Sequence, residues 1–300
     1  MKSLVADIGS ILRVHIILVA VMAALVMSWL LTAELALGVA LLGGVDWLLI
    51  NLLNKLTDLE EDEANGIRGT GLVARHSRRF AVAWVAIFVG SFAVSLLAYP
   101  GLTWLRVVVQ VIGLGYSLRL VPTFSGMKRF KDLYFLKNFM SAALFVLTVF
   151  VYPVASAGYS LTAHGGAWAW WALVFFFIPF ELSYEILYDL RDLEGDALAG
   201  VPTYPVVHGP RRARQIIDGL LIGSTLVVVI AFFGGLFGVR ELLFAAAPAL
   251  QFVFYRPRFR KGLTSADCIL LTHLGSLLLG VYLLGNHVWL WVGLPENIYF

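Results

Sequence analysis

Long apolar segments separated by polar connections run along almost the whole chain. Each segment holds roughly 20 mostly apolar residues, the length that a helix needs to cross the hydrocarbon core of a bilayer. The pattern predicts about nine membrane-spanning helices, at 11–31, 33–53, 79–98, 102–121, 138–155, 167–187, 214–235, 239–256 and 266–286. No shift in composition marks a domain boundary, so residues 1–300 are expected to form a single all-α bundle.

The composition supports a membrane location, because 60% of the 300 residues are hydrophobic and only 14% are charged. Soluble domains carry about 25% charged residues. The chain is therefore predicted to be a multi-pass integral membrane protein surrounded by the lipid bilayer. The formal net charge of +3 is too small to indicate a nucleic-acid partner.

The polar connections differ in length and charge between the two sides of the predicted bundle. Those at 54–78, 122–137 and 188–213 are long and rich in Lys and Arg, whereas the alternate connections are short. Arg106 and Arg240 are exceptions to this asymmetry. Since cytoplasmic loops carry the excess of basic residues, we expect the N-terminus and the three long loops in the cytoplasm. With an odd number of spans, the C-terminus is expected outside.

Two rows of polar residues follow apolar segments on the predicted cytoplasmic side. The members of each row are four residues apart: Asn54, Asp58 and Asp62 in the first, and Tyr184, Tyr188, Asp192 and Asp196 in the second. On a helix, such residues project from one face about 6 Å apart along the axis. Either row alone is equally compatible with ordinary solvated loop charges. Two rows with the same spacing on one side of the membrane indicate the halves of one site.

The residue types in these rows suggest a metal ion and a phosphorylated ligand. Carboxylate and amide oxygens with no nearby His or Cys suit Mg²⁺, which is usually held by one or two carboxylates together with substrate phosphates. Basic residues of the adjoining loops are candidates for binding a diphosphate, notably Arg68 and the group Lys128, Arg129, Lys131 and Lys137. With an apolar cavity behind them, these groups describe a site for an amphiphile with a phosphorylated head.

At these residues the chain resembles the UbiA superfamily of intramembrane prenyltransferases. Asn54, Asp58 and Asp62 match the NxxxDxxxD motif that follows the second helix of this family. Asp192 and Asp196 match the DxxxD motif after the sixth helix, and a tyrosine at 184 matches the Tyr of the YxxxK that often precedes it. The resemblance covers about residues 10–290, and its specificity lies in the two acidic motifs.

The resemblance implies a bundle around a central cavity, in which two Mg²⁺ ions link the acidic motifs to a prenyl diphosphate. The metal ligands that it implies are Asn54, Asp58, Asp62, Asp189, Asp192 and Asp196. The implied diphosphate-binding residues are Arg68, Lys128, Lys137 and Asn138. The residues expected to act in catalysis are Asp58, Asp192, Tyr184 and Tyr188. The tyrosine rings would face a positive charge that develops on the prenyl carbon, although simple packing explains each ring equally well.

Three departures from the family pattern concern the substrates rather than the metal. Lys55 stands where many members carry Asp, and Tyr188 replaces the Lys of YxxxK. The segment 65–71, NGIRGTG, replaces an Arg-Pro-rich run. Elsewhere, Asp46 lies eight residues before the asparagine of the first motif, where it either extends the site or makes a buried hydrogen bond.

Three functions are compatible with these features. The first is transfer of a (poly)prenyl group from its diphosphate to an aromatic or other hydrophobic lipid-precursor acceptor. The second is a terpene cyclase of the same superfamily, in which the prenyl chain attacks itself. The third is a transporter or ion pathway, although transport sites usually lie near the bilayer midplane and not at one side. The two motifs favour the first function and leave the acceptor, the prenyl length and the oligomeric state open.

Overall fold

The computed structural model describes residues 2–124 and 126–299, and these residues are mostly helical, as the sequence predicts. A small antiparallel hairpin, β1 (Val121–Thr123) and β2 (Gly126–Lys128), lies in the second long loop. The α-helices in chain order are α1 (Lys2–Ile11), α2 (Val14–Thr32), α3 (Leu37–Thr57), α4 (Leu59–Ala64), α5 (Thr70–Arg75), α6 (Ser77–Ala98), α7 (Pro100–Ser117), α8 (Leu136–Val146), α9 (Tyr152–Ser156), α10 (Ala167–Arg191), α11 (Leu193–Ala199), α12 (Tyr204–Phe233), α13 (Val239–Leu242), α14 (Ala246–Lys261) and α15 (Ser265–Trp291). Two short 3₁₀ turns, Phe130–Asp132 and Leu243–Ala245, and a π turn, Leu147–Val151, complete the secondary structure.

Seven helical segments of the described chain are long and apolar enough to cross a membrane: α2, α3, α6, α10, α12, α15 and the stretch Leu136–Ser156 that runs from α8 to α9. A multi-pass helical membrane protein is therefore confirmed, whereas the predicted number of about nine spans is not. The other two predicted spans, 102–121 and 239–256, fall on α7 and on α13 with α14. α7 contains the polar Arg106 and Gln110, and α14 has only 16 residues, so both differ from the seven in length or apolarity.

Buried apolar side chains of α2, α3, α10 and the segment from α8 to α9 form most of the core. Trp47 on α3 packs against Phe145 on α8, with ring centroids 4.1 Å apart. The Trp47 indole also donates a hydrogen bond of 3.0 Å to the Thr148 hydroxyl in the π turn. These contacts fix the helix that begins the first polar row against α8, which carries Lys137 in its first turn.

A buried ion pair connects α3 and α7 in the interior of the bundle. The side chains of Asp46 and Arg106 are both 0% exposed. Arg106 donates to the two carboxylate oxygens from Nη2 at 2.7 Å and from Nε at 3.0 Å, a bidentate geometry. Gln110 and Tyr152 donate to the same carboxylate at 2.9 and 3.0 Å. Asp46 therefore makes a buried hydrogen-bond network, and this pairing explains why Arg106 departs from the distribution of the other cations.

Candidate active site

Both acidic rows cross a break between a long helix and a short helix that follows it. α3 ends at Thr57 and α4 begins at Leu59, which leaves Asp58 at the break with φ −111° and ψ 30°. Asp192 divides α10 from α11 in the same way, with φ −93° and ψ 10°. Neither row therefore lies on one continuous helix. The rows nevertheless stay aligned across both breaks. The backbone N–H of each aspartate of a row still donates to the backbone oxygen of the residue four positions earlier.

A direct contact between Asn65, the residue that follows α4, and the first turn of α11 joins the two rows. The backbone N–H of Gly195 donates a hydrogen bond of 3.0 Å to Oδ1 of Asn65. A Cβ at position 195 would lie 2.1–2.4 Å from the three atoms of the Asn65 amide group. Only glycine therefore permits this approach. The contact brings the two acidic rows into one region, as their shared spacing predicts.

The carboxylates of the first row are buried and paired with basic side chains. Asp58 lies 2.6 Å from Nζ of Lys131 and 3.0 Å from Nη1 of Arg129. Asp62 lies 2.6 Å from Nζ of Lys55. Burial raises the pKa of Asp58, and the ammonium group of Lys131 opposes that increase. Lys131 and Arg129 therefore reduce the free energy needed to keep the buried Asp58 ionised.

The second row shares one basic residue with the end of α10. Nζ of Lys137 lies 2.9 Å from Asp189 and 3.1 Å from Asp196. Asn138 donates to the other oxygen of Asp189 at 2.9 Å. Burial raises the pKa of Asp196 to about 6, against the opposing effect of the Lys137 ammonium group. Lys137 and Asn138, predicted to bind the diphosphate, are therefore in direct contact with predicted metal ligands.

Three other predicted site residues have different surroundings. Asp192 accepts a hydrogen bond of 2.7 Å from Nε of its neighbour Arg191. Arg68 contacts Asp7 of α1 at 2.5 Å, and 53% of its side chain is exposed. Lys128 is on β2, half-buried, and makes no ion pair with another residue of 2–124 or 126–299. The roles of Arg68 and Lys128 in diphosphate binding remain predictions.

The first row is contacted by Lys55, which was not predicted as a site residue, and by Arg129 and Lys131, two members of the basic group that was predicted to bind a diphosphate. The contact between Lys55 and Asp62 could have been predicted from the sequence. The two residues are seven positions apart, which is two helical turns and places them on the same face. Arg129 and Lys131 belong to the basic group of the second long loop. In that group, sequence alone does not distinguish them from Lys128, because no helical period applies in an irregular loop.

The donor atoms of the first row fit a hard cation. Oδ1 of Asn54 is buried and has no hydrogen-bond partner among the described residues. Asp58 and Asp62 follow it at intervals of one turn. In the described part of the chain, no three Asp, Glu, His or Cys side chains converge on one point as a complete metal site. The oxygen donors thus suit Mg²⁺, which commonly takes its remaining ligands from water and phosphate.

A cavity of about 430 Å³ extends from the second row into the bundle. Its walls come from α2, α8, α10, α15 and the region of α13 and α14, and they are largely aliphatic and aromatic. Tyr184 and Tyr188 both line it. The Tyr184 hydroxyl donates to the backbone oxygen of Leu271 at 3.1 Å, and the Tyr188 hydroxyl lies 2.9 Å from the Thr272 hydroxyl. Both rings are therefore held at the cavity wall by their hydroxyl groups.

Two glutamates that were not predicted as site residues, Glu181 and Glu185, line the same cavity. Together with Asp189 they form a further row of acids on α10, again with a spacing of four residues. This spacing is visible in the sequence, but the apolar segment around it makes the two glutamates look like isolated polar positions within a span.

Comparisons with known proteins agree with this arrangement. The sequence profile of the UbiA prenyltransferase family matches residues 14–268. A digeranylgeranylglyceryl phosphate synthase of Natronomonas pharaonis is 29% identical over 152 residues. That match covers 50% of this chain and 50% of the relative, so the chain spans about half the length of the curated protein that it resembles.

Solved structures show the same fold. A UbiA homologue from Archaeoglobus fulgidus has a TM-score of 0.68 and 18% identity, covering 93% of this chain and 98% of that one. A second structure of a UbiA homologue from the same organism, bound to GPP and Mg²⁺, has a TM-score of 0.66 and 16% identity, with 93% and 98% covered. The family profile matches most of the length of this chain, which therefore belongs to the UbiA prenyltransferase family.

Proposed function

We propose that this protein is a Mg²⁺-dependent intramembrane prenyltransferase, which transfers a prenyl group from a prenyl diphosphate to a hydrophobic acceptor. One observation carries the proposal. Two acidic rows are joined through Asn65 and Gly195, and the tyrosines of the second row, Tyr184 and Tyr188, line an apolar cavity. A diphosphate needs the charged end of such a site, and a prenyl chain needs the apolar part. The GPP and Mg²⁺ bound to the Archaeoglobus homologue support this division.

The metal ligands in this proposal are the oxygens of the two rows: Asn54, Asp58, Asp62, Asp189, Asp192 and Asp196. Bound Mg²⁺, most simply as two ions, would neutralise negative charge on the diphosphate as it leaves. The unsatisfied oxygen of Asn54 supports its role as a ligand. We expect the close approach of Asn65 and Gly195 to help position the two ligand groups relative to each other.

The basic residues have a role on the substrate side. Lys131 and Arg129 contact Asp58 of the first row, and Lys137 contacts Asp196 of the second. Ammonium and guanidinium groups bind phosphate oxygens through charge-assisted hydrogen bonds. We expect these three residues to bind the diphosphate together with the predicted Arg68, Lys128 and Asn138. These basic residues would supply the positive charge that the lysine of YxxxK provides and that Tyr188, at the same position, lacks.

The experiment is an assay of Mg²⁺-dependent release of diphosphate from geranyl diphosphate by the purified protein. Asp58→Asn and Asp192→Asn should each lower the rate at least about 100-fold, because an amide lacks the charge that Mg²⁺ requires. Glu60→Gln is the matched control, since this carboxylate is exposed on α4 two residues from Asp58. The control should keep the wild-type rate. The absence of Mg²⁺-dependent release by the wild-type protein would contradict the proposal.

A further inference from the structure

The end of α3 carries a lysine whose ammonium group is almost completely enclosed. Lys55 is 1% exposed, and its Nζ lies 2.6 Å from Oδ2 of Asp62. Within residues 2–124 and 126–299, this is the one hydrogen bond that the ammonium group makes. Since an ammonium group has three N–H donors, Lys55 has donors that no residue of these ranges uses.

A second unused donor lies one helical turn before Lys55. Asn51 is also on α3 and is 4% exposed. Its Nδ2 is buried and has no hydrogen-bond partner among the described residues. Residues four positions apart lie on one face of a helix, so the two side chains share a side of α3. A buried donor without an acceptor costs free energy, and a ligand oxygen at this place would remove that cost.

The third member of the cluster comes from the break between α1 and α2. Arg13 has φ 47° and ψ 49°, in the left-handed region that residues with a Cβ adopt infrequently. Its Nη1 lies 3.5 Å from Oδ1 of Asn51. It makes no ion pair with another residue of the described ranges. The half-buried guanidinium group therefore lies beside the Asn51 amide with most of its donors unused by the protein.

These three side chains lie beside a proposed metal ligand and close to the cavity. Lys55 contacts Asp62 of the first row directly. The positive charges of Arg13 and Arg191 both act on the Lys55 ammonium group. The same two charges act on the hydroxyl of Tyr188, which lines the cavity. A diphosphate held by metal ions at the first row would therefore lie next to this cluster.

The positive charge of the cluster is not balanced by the protein alone. Lys55 and Arg191 are each paired with one aspartate. The charge of Arg13 acts on Glu185, but the two side chains do not form an ion pair. The like charges of Lys55, Arg13 and Arg191 repel one another, and such repulsion disfavours the charged form of each group. A bound anion would reverse this effect.

From the unused donors and the excess positive charge we infer that Lys55, Asn51 and Arg13 bind the diphosphate of the prenyl donor. The inference rests on the proposed function and adds three substrate-binding residues to it, on the α2 and α3 side of the acidic rows. Ammonium and guanidinium groups bind phosphate oxygens through charge-assisted hydrogen bonds, and the Asn51 amide adds a neutral donor. With Asp62 bound to a metal ion, Lys55 would direct all its donors at phosphate oxygens.

The first test measures binding instead of turnover. Full-length protein in detergent micelles is titrated with geranyl thiolodiphosphate in the presence of Mg²⁺, and isothermal titration calorimetry gives the Kd. In this analogue, sulfur replaces the oxygen between the prenyl carbon and the diphosphate, so that the bond breaks slowly. We expect Lys55→Gln to raise the Kd about 10- to 100-fold, which corresponds to the loss of a hydrogen bond with a charged group. Lys261→Gln is the matched control, since this lysine is exposed at the end of α14 and should keep the wild-type Kd.

Asn51→Leu separates a binding role from a structural role. The substitution removes a buried donor that has no partner in the described chain, so the free energy of unfolding should not fall. The Kd for the analogue should nevertheless rise about tenfold, because a hydrogen bond to charged phosphate is lost. A folded Asn51→Leu protein with the wild-type Kd would overturn the inference. This comparison decides the question alone if Lys55→Gln does not fold.

A relocated charge tests whether Lys55 acts on the ligand or only on Asp62. Position 188 lies close to the same two guanidinium groups as Lys55. We expect Tyr188→Lys to lower the Kd of the Lys55→Gln protein at least about tenfold, because an ammonium group returns to the same region. A lysine that only neutralised Asp62 would not be replaced in this way, so an unchanged Kd would contradict the inference.

The outcomes distinguish the inference from the proposed function. If the wild-type protein releases no diphosphate with Mg²⁺, the proposed function itself is wrong. If it releases diphosphate but Lys55→Gln and Asn51→Leu bind the analogue with the wild-type Kd, the proposed function stands and the cluster does not bind the diphosphate.

Discussion

Replacing Asp46 by Asn tests whether the bundle depends on the buried ion pair between α3 and α7. The substitution keeps the shape of the side chain but removes the charge that balances Arg106. Both side chains are 0% exposed, so water cannot replace the lost partner. Removing one member of a buried ion pair costs about 3–5 kcal/mol, because the other charge is left uncompensated.

The magnitude follows from the contacts of this carboxylate. Asp46 accepts two hydrogen bonds from Arg106 and one each from Gln110 and Tyr152. An asparagine side chain has one oxygen to accept these donors, and its NH₂ group faces donors instead. We therefore expect the upper part of that range, about 4–5 kcal/mol. In the double variant Asp46→Asn with Arg106→Met, the buried charge is absent, so much of this loss should be recovered.

The assay is the free energy of unfolding, measured by titration with sodium dodecyl sulfate in mixed micelles. Asp7→Asn is the matched control, since it breaks the ion pair with the half-exposed Arg68 and should cost less than about 1 kcal/mol. The reasoning would be refuted if Asp46→Asn cost no more than this control. A double variant less stable than Asp46→Asn would also contradict it.

Three further predictions concern the site and the orientation of the chain. Gly195→Ala places a methyl group within 2.4 Å of the Asn65 amide. We expect it to lower the rate of diphosphate release at least about tenfold, because misplacing catalytic groups by about 1 Å costs up to about 100-fold. A wild-type rate would exclude a role for this contact. Tyr188→Phe should keep most activity. Tyr188→Lys should lower kcat, because it places an ammonium group beside the positive charge that develops on the prenyl carbon. Equal kcat values for the two variants would show that the Tyr188 ring only packs. In a Cys268→Ser background, a cysteine replacing Arg211 should react with an impermeant thiol reagent only from the cytoplasm, and labelling from outside would reverse the proposed orientation.

Much of the fold is predictable from hydrophobic periodicity, since the long apolar helices lie where the apolar segments lie. The number of membrane spans cannot be predicted in the same way. α7 combines apolar residues with Arg106 and Gln110, and both of these side chains contact Asp46 on α3. Whether such a helix crosses the membrane depends on tertiary contacts that compensate its polar groups. The role of Asp46 depends on the same contacts. From its sequence position alone, Asp46 could equally extend the site or make a buried hydrogen bond.

The candidate site is predictable to a similar extent. The spacing of four residues identifies both acidic rows, because the backbone hydrogen-bond pattern continues through the breaks at Asp58 and Asp192. The breaks themselves leave no clear mark in the sequence, since Asp is compatible with either conformation. The contact between Asn65 and Gly195 joins residues that are 130 positions apart, and local patterns contain no information about such a pair.

The pairing of lysines with carboxylates has a thermodynamic consequence for how the site fills. Lys131 and Lys137 are shared between the acidic rows and the proposed diphosphate. In the proposed site, a divalent cation bound by the carboxylates would free these ammonium groups for phosphate, and phosphate bound by the ammonium groups would free the carboxylates for the cation. Each ligand must then strengthen the binding of the other by the same factor, because coupling between two sites is reciprocal. The protein would thus respond to the metal–diphosphate complex as one ligand, while each component alone competes with the ion pairs of the chain itself.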